Sequence, residues 1–169
     1  MSLSMHSALV PTATRTLRNL IGILEKIAAH AEAKKIDPSI FLNARLYPDM
    51  FPLVRQVQIA SDTIKGAAAR LAGQEPPSWA DTETTIEQLI ERINRTIDFA
   101  NSFQPAQIDG SEARTIELKI RGNLRQFSGE SFLFGHALPN LFFHTTTAYA
   151  IARHNGVEIG KSDYLGRVE

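Results

Sequence analysis

Cysteine is absent from this chain of 169 residues. Its absence excludes disulfides, thiolate zinc sites and cysteine nucleophiles together. An excess of charge is missing too: 18 Lys and Arg stand against 18 Asp and Glu, so no net field gathers nucleic acid or an anionic membrane. No segment reaches the roughly 18 consecutive apolar residues of a membrane span, and the opening MSLSMHSALVP lacks a basic region ahead of a long apolar run. The expectation is a cytoplasmic protein with neither nucleic acid nor membrane as partner. The length fits one domain, residues 1–169, able to bury a core without staples.

What is present is helical periodicity. Leu17, Leu20, Ile21, Leu24, Ile27, Ala28 and Ala31 recur at three and four residues, which predicts a helix over residues 4–33. Asp37-Pro38 has the form of an N-cap with proline at the first helical position, opening a short connecting helix. Val54, Val57, Ser61, Ile64, Ala68 and Leu71 predict a second long helix over residues 49–72, closed by Gly73 and Pro76-Pro77. A third is expected over residues 84–103, with Thr84 and Glu87 at capping-box spacing and Ile86, Leu89, Ile90, Ile93, Ile97 and Ala100 as its stripe. After Gly110 the period changes to two. Ile116, Leu118 and Ile120 alternate with polar residues, and Gly122-Asn123 supplies turn chemistry, so a small β-hairpin over residues 115–127 is expected. An isolated hairpin is marginal in water, so its apolar face needs the helices or a second copy of the chain. The last helix is expected over residues 138–155, ending at Asn155-Gly156.

Candidate chemistry is concentrated in that last helix. Asn140 and His144 are four residues apart, about 400° of helical turn, and project from one side at the border of the apolar stripe. Helices hold metals with ligands at this spacing, but the strong form has two histidines, and asparagine is a poor zinc ligand. Spacing alone therefore favours a hydrogen-bonded Asn/His pair. On the second long helix, Gln56 and Gln58 point about 200° apart, so at most one is expected to face the interior; with Asp62 they read as a solvated face. His6, His30, His136 and His154 are read as surface or capping histidines with no partner at ligand spacing. Gly156 to Ser162 has three residues between its glycines where a phosphate loop has four, and it follows a helix.

The chain resembles a family. Four long helices, a broken connection between the first two, and above all the RHNGV-x-I-G-K-x-D-Y-L-G ending from Arg153 to Gly166 resemble an uncharacterised branch of the DinB-like (YfiT-like) four-helix-bundle superfamily. The resemblance covers nearly the whole chain. It implies an all-α, up-down-down-up four-helix bundle with the hairpin between helices 3 and 4, often a homodimer. It also implies a divalent metal on three histidines, one from the second long helix and an HxxxH pair from the last, serving hydrolysis or thiol-cofactor-dependent transfer. Aligned on Arg153 and Gly156-Val157, the HxxxH positions hold Asn140 and His144. Gln56 is the counterpart on the second long helix, with Gln58 or Asp62 as alternatives. One histidine of three is kept, which disfavours zinc or nickel.

The expectation is thus a degenerate metal-site pocket of Asn140, His144, Gln56 and Asp62 in a protein that is small-molecule-binding or non-catalytic. His144 is the catalytic candidate if the protein is an enzyme, as general base or sole imidazole ligand helped by Gln56, Asp62 or Asp49. If a metal is present, its ligands would be His144, Asn140 and Gln56. A dimeric interaction or stress-related protein is the third reading.

Overall fold

The computed structural model describes residues 3–120 and 122–166. The extreme ends of the expected unit, and Arg121, lie outside these. In chain order the elements are α1 (Met5–Lys34), α2 (Pro38–Asn43), α3 (Leu53–Leu71), α4 (Ile86–Asn101), α5 (Pro105–Ile108), β1 (Thr115–Ile120), β2 (Asn123–Ser128), α6 (Gly129–Phe132), a π-helical turn (Leu133–Ala137), α7 (Leu138–His154) and α8 (Lys161–Leu165). The chain is mostly helical, with one small antiparallel sheet.

Local chemistry sets the ends of the long helices. Ser4 caps α1 and exchanges bonds with Ser7, so Pro11 falls inside a continuous helix, on its exposed side, rather than opening it. The second long helix starts at Leu53, four residues later than its periodicity suggests, because residues 47–50 close a turn, Met50 N donating to the Tyr47 carbonyl, and Pro52 takes the cap position. The capping box of α4 is shifted by one residue from the expected pair: Thr85 and Gln88 form it, not Thr84 and Glu87. At the end of α7, Gly156 takes φ +86. There Val157 N donates to Ala152 O at 3.2 Å and Gly156 N to Arg153 O at 3.1 Å, the paired bonds that satisfy a helix's last carbonyls when a residue free of Cβ turns left-handed.

The amphipathic stripes meet in one apolar cluster. α1 packs on α4 and α7, and α3 packs on the same two helices. Leu17, Leu24, Ile64, Leu89, Ile93 and Leu141 are all fully buried there. Each such side chain stabilises the fold by about 1.5–3 kcal/mol relative to an exposed one.

The hairpin is anchored by its inward residues. β1 and β2 pair antiparallel from Thr115↔Ser128 to Ile120↔Asn123. Ile116 enters the core, and Leu118 and Phe127 pack against it. The chain's own helices therefore cover the apolar face of the hairpin, leaving Leu124 exposed.

The ending that carries the family resemblance has an architectural role. Asp163 Oδ2 accepts from Gly160 N at 2.8 Å, and its Oδ1 receives Lys26 Nζ of α1 at 2.6 Å. Tyr164 ties the tail down at both ends: Asn19 Nδ2 donates to its carbonyl at 2.9 Å, and its hydroxyl accepts from Thr146 at 3.0 Å.

Candidate functional site

α3 and α7 face each other along their lengths, and polar side chains gather at two places on or beside them. At the first, His144 Nδ1 lies 2.7 Å from Gln56 Oε1, both side chains being buried. Gln56 Nε2 donates to the Phe51 carbonyl at 2.9 Å. That second bond fixes the amide orientation, so Oε1 faces the imidazole and Nδ1 must carry the proton. Nε2 is left with the lone pair and has no partner among the described residues. Burial, then the nearby Arg55 charge, lowers the His144 pKa from its ordinary 6.5. The ring is neutral at neutral pH.

The second place lies at the π-helical turn before α7. Asn140 Nδ2 donates to the His136 carbonyl at 2.7 Å and approaches His136 Nδ1 at 3.5 Å. No bond joins Asn140 to His144 among the described residues. The His136 ring stacks on Phe132 at 5.7 Å and contacts Phe127 at 5.6 Å. Its pKa is lowered by burial first and by the Arg70 charge second. Beside it a cleft of about 280 Å³ opens between α3 and the hairpin, lined in part by Ile59, Thr63, Arg70, Leu118, Phe132 and His136. His136, expected to have no partner, thus meets Asn140 four residues beyond it.

Asp62 borders this cleft but belongs to a charged cluster. Its Oδ1 receives Lys65 Nζ at 2.7 Å and Arg92 Nη2 at 2.9 Å. Arg92, on α4 and only 4 % exposed, also bonds Asp81 and Glu83, each at 2.9 Å. Gln58 donates to Glu83 at 2.8 Å. Both Gln56 and Gln58 are buried, against the reading of a solvated face. Gln56 meets α7, while Gln58 is covered by the connection between α3 and α4. Burial raises the Glu83 pKa, but the bonds from Arg92 and Gln58 outweigh it and the net direction is down. In the same connection Trp79 is held between cations, Lys65 at 4.6 Å and Arg95 at 4.2 Å from its ring centre. The remaining candidates are apart from this region: His6 binds the Phe103 carbonyl, His30 packs edge-on against Phe41, and Asp49 lies in the turn before α3.

The metal that the family resemblance implies does not fit these residues. Among the described residues no three His, Asp or Glu side chains converge as an ion would require. The fallback set of His144, Asn140 and Gln56 offers one imidazole and two carboxamides, and carboxamide oxygens are weak ligands for zinc or nickel. Gln56 Oε1 already accepts from His144 Nδ1, and Asn140 is turned to the His136 carbonyl, to which its Nδ2 donates.

Fold and site together define a DinB-like helical protein with a buried imidazole–amide pair between α3 and α7. The chain belongs to the family described as Domain of unknown function (DUF1993), whose model matches residues 5–165. It is similar to a crystal structure of a DinB family member from Shewanella denitrificans, with 43% identity over 96% of this chain and 92% of that one, and a TM-score of 0.87. No curated protein matches it. Among the described residues no helix is long and apolar enough to cross a membrane.

Proposed function

We propose that this chain is a non-catalytic, small-molecule-binding DinB-like protein, a single up-down-down-up four-helix bundle whose metal position has become a polar pocket centred on the bonded pair His144 and Gln56, with Asn140 and Asp62 nearby on the same two helices. The 2.7 Å bond between His144 Nδ1 and Gln56 Oε1 carries this reading. It engages the oxygen with which Gln56 would otherwise ligate an ion. Zinc and nickel prefer imidazole or thiolate to carboxamide oxygen. The test is metal analysis of untagged protein, with native mass spectrometry for a co-purified ligand. Protein free of divalent metal and carrying a small organic molecule is the expected result, and stoichiometric metal would overturn the proposal.

One observation favours a second reading, an enzyme. With its proton on Nδ1, neutral His144 presents a basic Nε2, the form a general base needs for a hydrolase or a thiol-dependent transferase. His144→Ala should then abolish any turnover found by substrate screening; unchanged turnover would remove this reading. A homodimer is supported by Phe142 and Phe143, 40% and 57% exposed on α7, together with exposed Leu124 at the hairpin. Sedimentation should show a dimer at micromolar concentration, and a monomer throughout would exclude it.

A further inference from the structure

The cleft beside His136 has charge and shape of its own. Arg70 is about half buried on α3, and among the described residues its guanidinium makes neither a hydrogen bond nor an ion pair; burial pulls its pKa down while Glu75 acts only as a nearby charge. The side chain folds back over Gly66, the one position where α3 leaves room: a Cβ there would collide with Arg70 Nη1. Other charges at the cleft are already matched. Asp62 is held by Lys65 and Arg92, and Arg55 is paired with Asp81. Arg70 is left as the unmatched cation. Thr63, one turn before Gly66, is also without a partner among the described residues, whereas Thr16, Thr96, Thr145 and Thr147 each donate to the carbonyl four residues back. The rest of the lining is largely apolar: Ile59 on α3 itself, with Leu118 and the Phe132 ring under His136 across from it.

We propose that this cleft binds a small organic carboxylate, its anionic end on Arg70 and Thr63 and its apolar body against Ile59, Leu118 and Phe132. The proposal rests on the small-molecule reading above, moves the ligand to the cleft that Asp62 and His136 border, and names its class. A planar guanidinium with no partner matches the two oxygens of a carboxylate through parallel N–H bonds. About 280 Å³ is near the lower end of ligand sites and suits a body of benzoate size. Arg70 is half-buried and Glu75 makes no ion pair with it, so an anion arriving there offsets part of the desolvation that its guanidinium carries.

Benzoate titrated calorimetrically into the untagged full chain tests this, with benzamide as neutral isostere and inorganic phosphate as competitor. Benzoate should bind at least ~10-fold more tightly than benzamide, and Arg70→Met should weaken benzoate at least ~10-fold while leaving benzamide unchanged. Arg70→Lys should fall between, since it keeps the charge but not the fork. Ile59→Trp should fill the cleft and abolish binding. Circular dichroism and the melting curve show whether each variant is folded. Equal binding of benzoate to wild type and Arg70→Met, no benzoate binding at all, or displacement by equimolar phosphate would each overturn the proposal. Failure of the underlying reading has a different signature, stoichiometric metal in the purified protein. If both compounds bind equally and Ile59→Trp removes both, the pocket survives and the anion does not.

Discussion

Gln56 receives the Nδ1 proton of His144 across the α3–α7 interface at 2.7 Å, 88 residues away along the chain. A helix-facing amide whose two ends are both engaged acts as a rigid orienter of the ring. Gln56→Leu would leave the imidazole N–H buried without an acceptor, costing about 1–3 kcal/mol. Gln56→Glu should keep the geometry and add a charge that favours the imidazolium. In ring-proton NMR titrations His144 should titrate below the ordinary imidazole range in wild type and move upward in Gln56→Glu. An unmoved titration would mean the two side chains do not touch in solution.

The two lowered histidines set a sign for acid stability. For His136 and His144 the folded pKa lies below the ordinary 6.5, mainly through burial. Between the folded and unfolded values the unfolded chain therefore binds more protons, so stability rises with pH in that window. Their contribution is complete above about 6.5 and is lost as pH falls through the folded values. Urea midpoints should drop between pH 7.5 and pH 5, and a His136→Gln, His144→Gln double variant should show a flatter profile. Glu83, lowered from 4.5, acts in a more acidic range and does not mask the effect.

Arg92 is the centre of the charged cluster, and removing it should be costly. It is 2% exposed at the side chain and faces Asp62, Asp81 and Glu83, whose side chains are 37%, 34% and 12% exposed. Breaking a fully buried pair costs about 3–5 kcal/mol, whereas exposed pairs are worth under ~1 kcal/mol. Here two of the carboxylates reach water, so Arg92→Met is expected to cost about 2–3 kcal/mol in urea unfolding. Since Arg92 also donates to the Ala80 carbonyl at 3.1 Å, the variant should loosen the connection that carries Trp79. The fluorescence of this sole tryptophan should then become more accessible to acrylamide. Unchanged quenching would show that the cation sandwich of Lys65 and Arg95 holds the loop by itself.

These residues also show what was legible in the sequence. The apolar stripes could be read because Leu89, Ile93 and Ile97 recur with the helical period and that period decides burial. The hairpin could be read because Ile116 and Leu118 alternate. A helical wheel describes one helix, however, and the site depends on what lies opposite. Gln58 is buried by a loop that arrives 25 residues later. Asp62 is drawn to an arginine 30 residues on. Asn140, by contrast, bonds to a local carbonyl one turn back, as short amides in helices often do, and so does not join His144. The spacing of four that links Asn140 to His136 is present in the sequence, but the same spacing links Asn140 to His144, and only the fold around the π-helical turn decides between them.

Ser61 offers the last prediction. It sits in the middle of α3 at 0% exposure, on the stripe that faces the core, and its hydroxyl has no hydrogen-bond partner among the described residues. A buried hydroxyl left unpaired loses its bonds to water and gains nothing in return, a penalty of about 1–3 kcal/mol. Serine also has a lower helix propensity than alanine. Ser61→Ala removes one oxygen, so the void it leaves is small compared with a lost methylene group. Both effects point the same way. The variant should be more stable than wild type by about 1 kcal/mol, raising the urea midpoint with the slope of the transition unchanged. A loss of stability would mean that the hydroxyl is satisfied in solution, and the interior of α3 would then contain a polar contact that the packing of α3, α4 and α7 does not show.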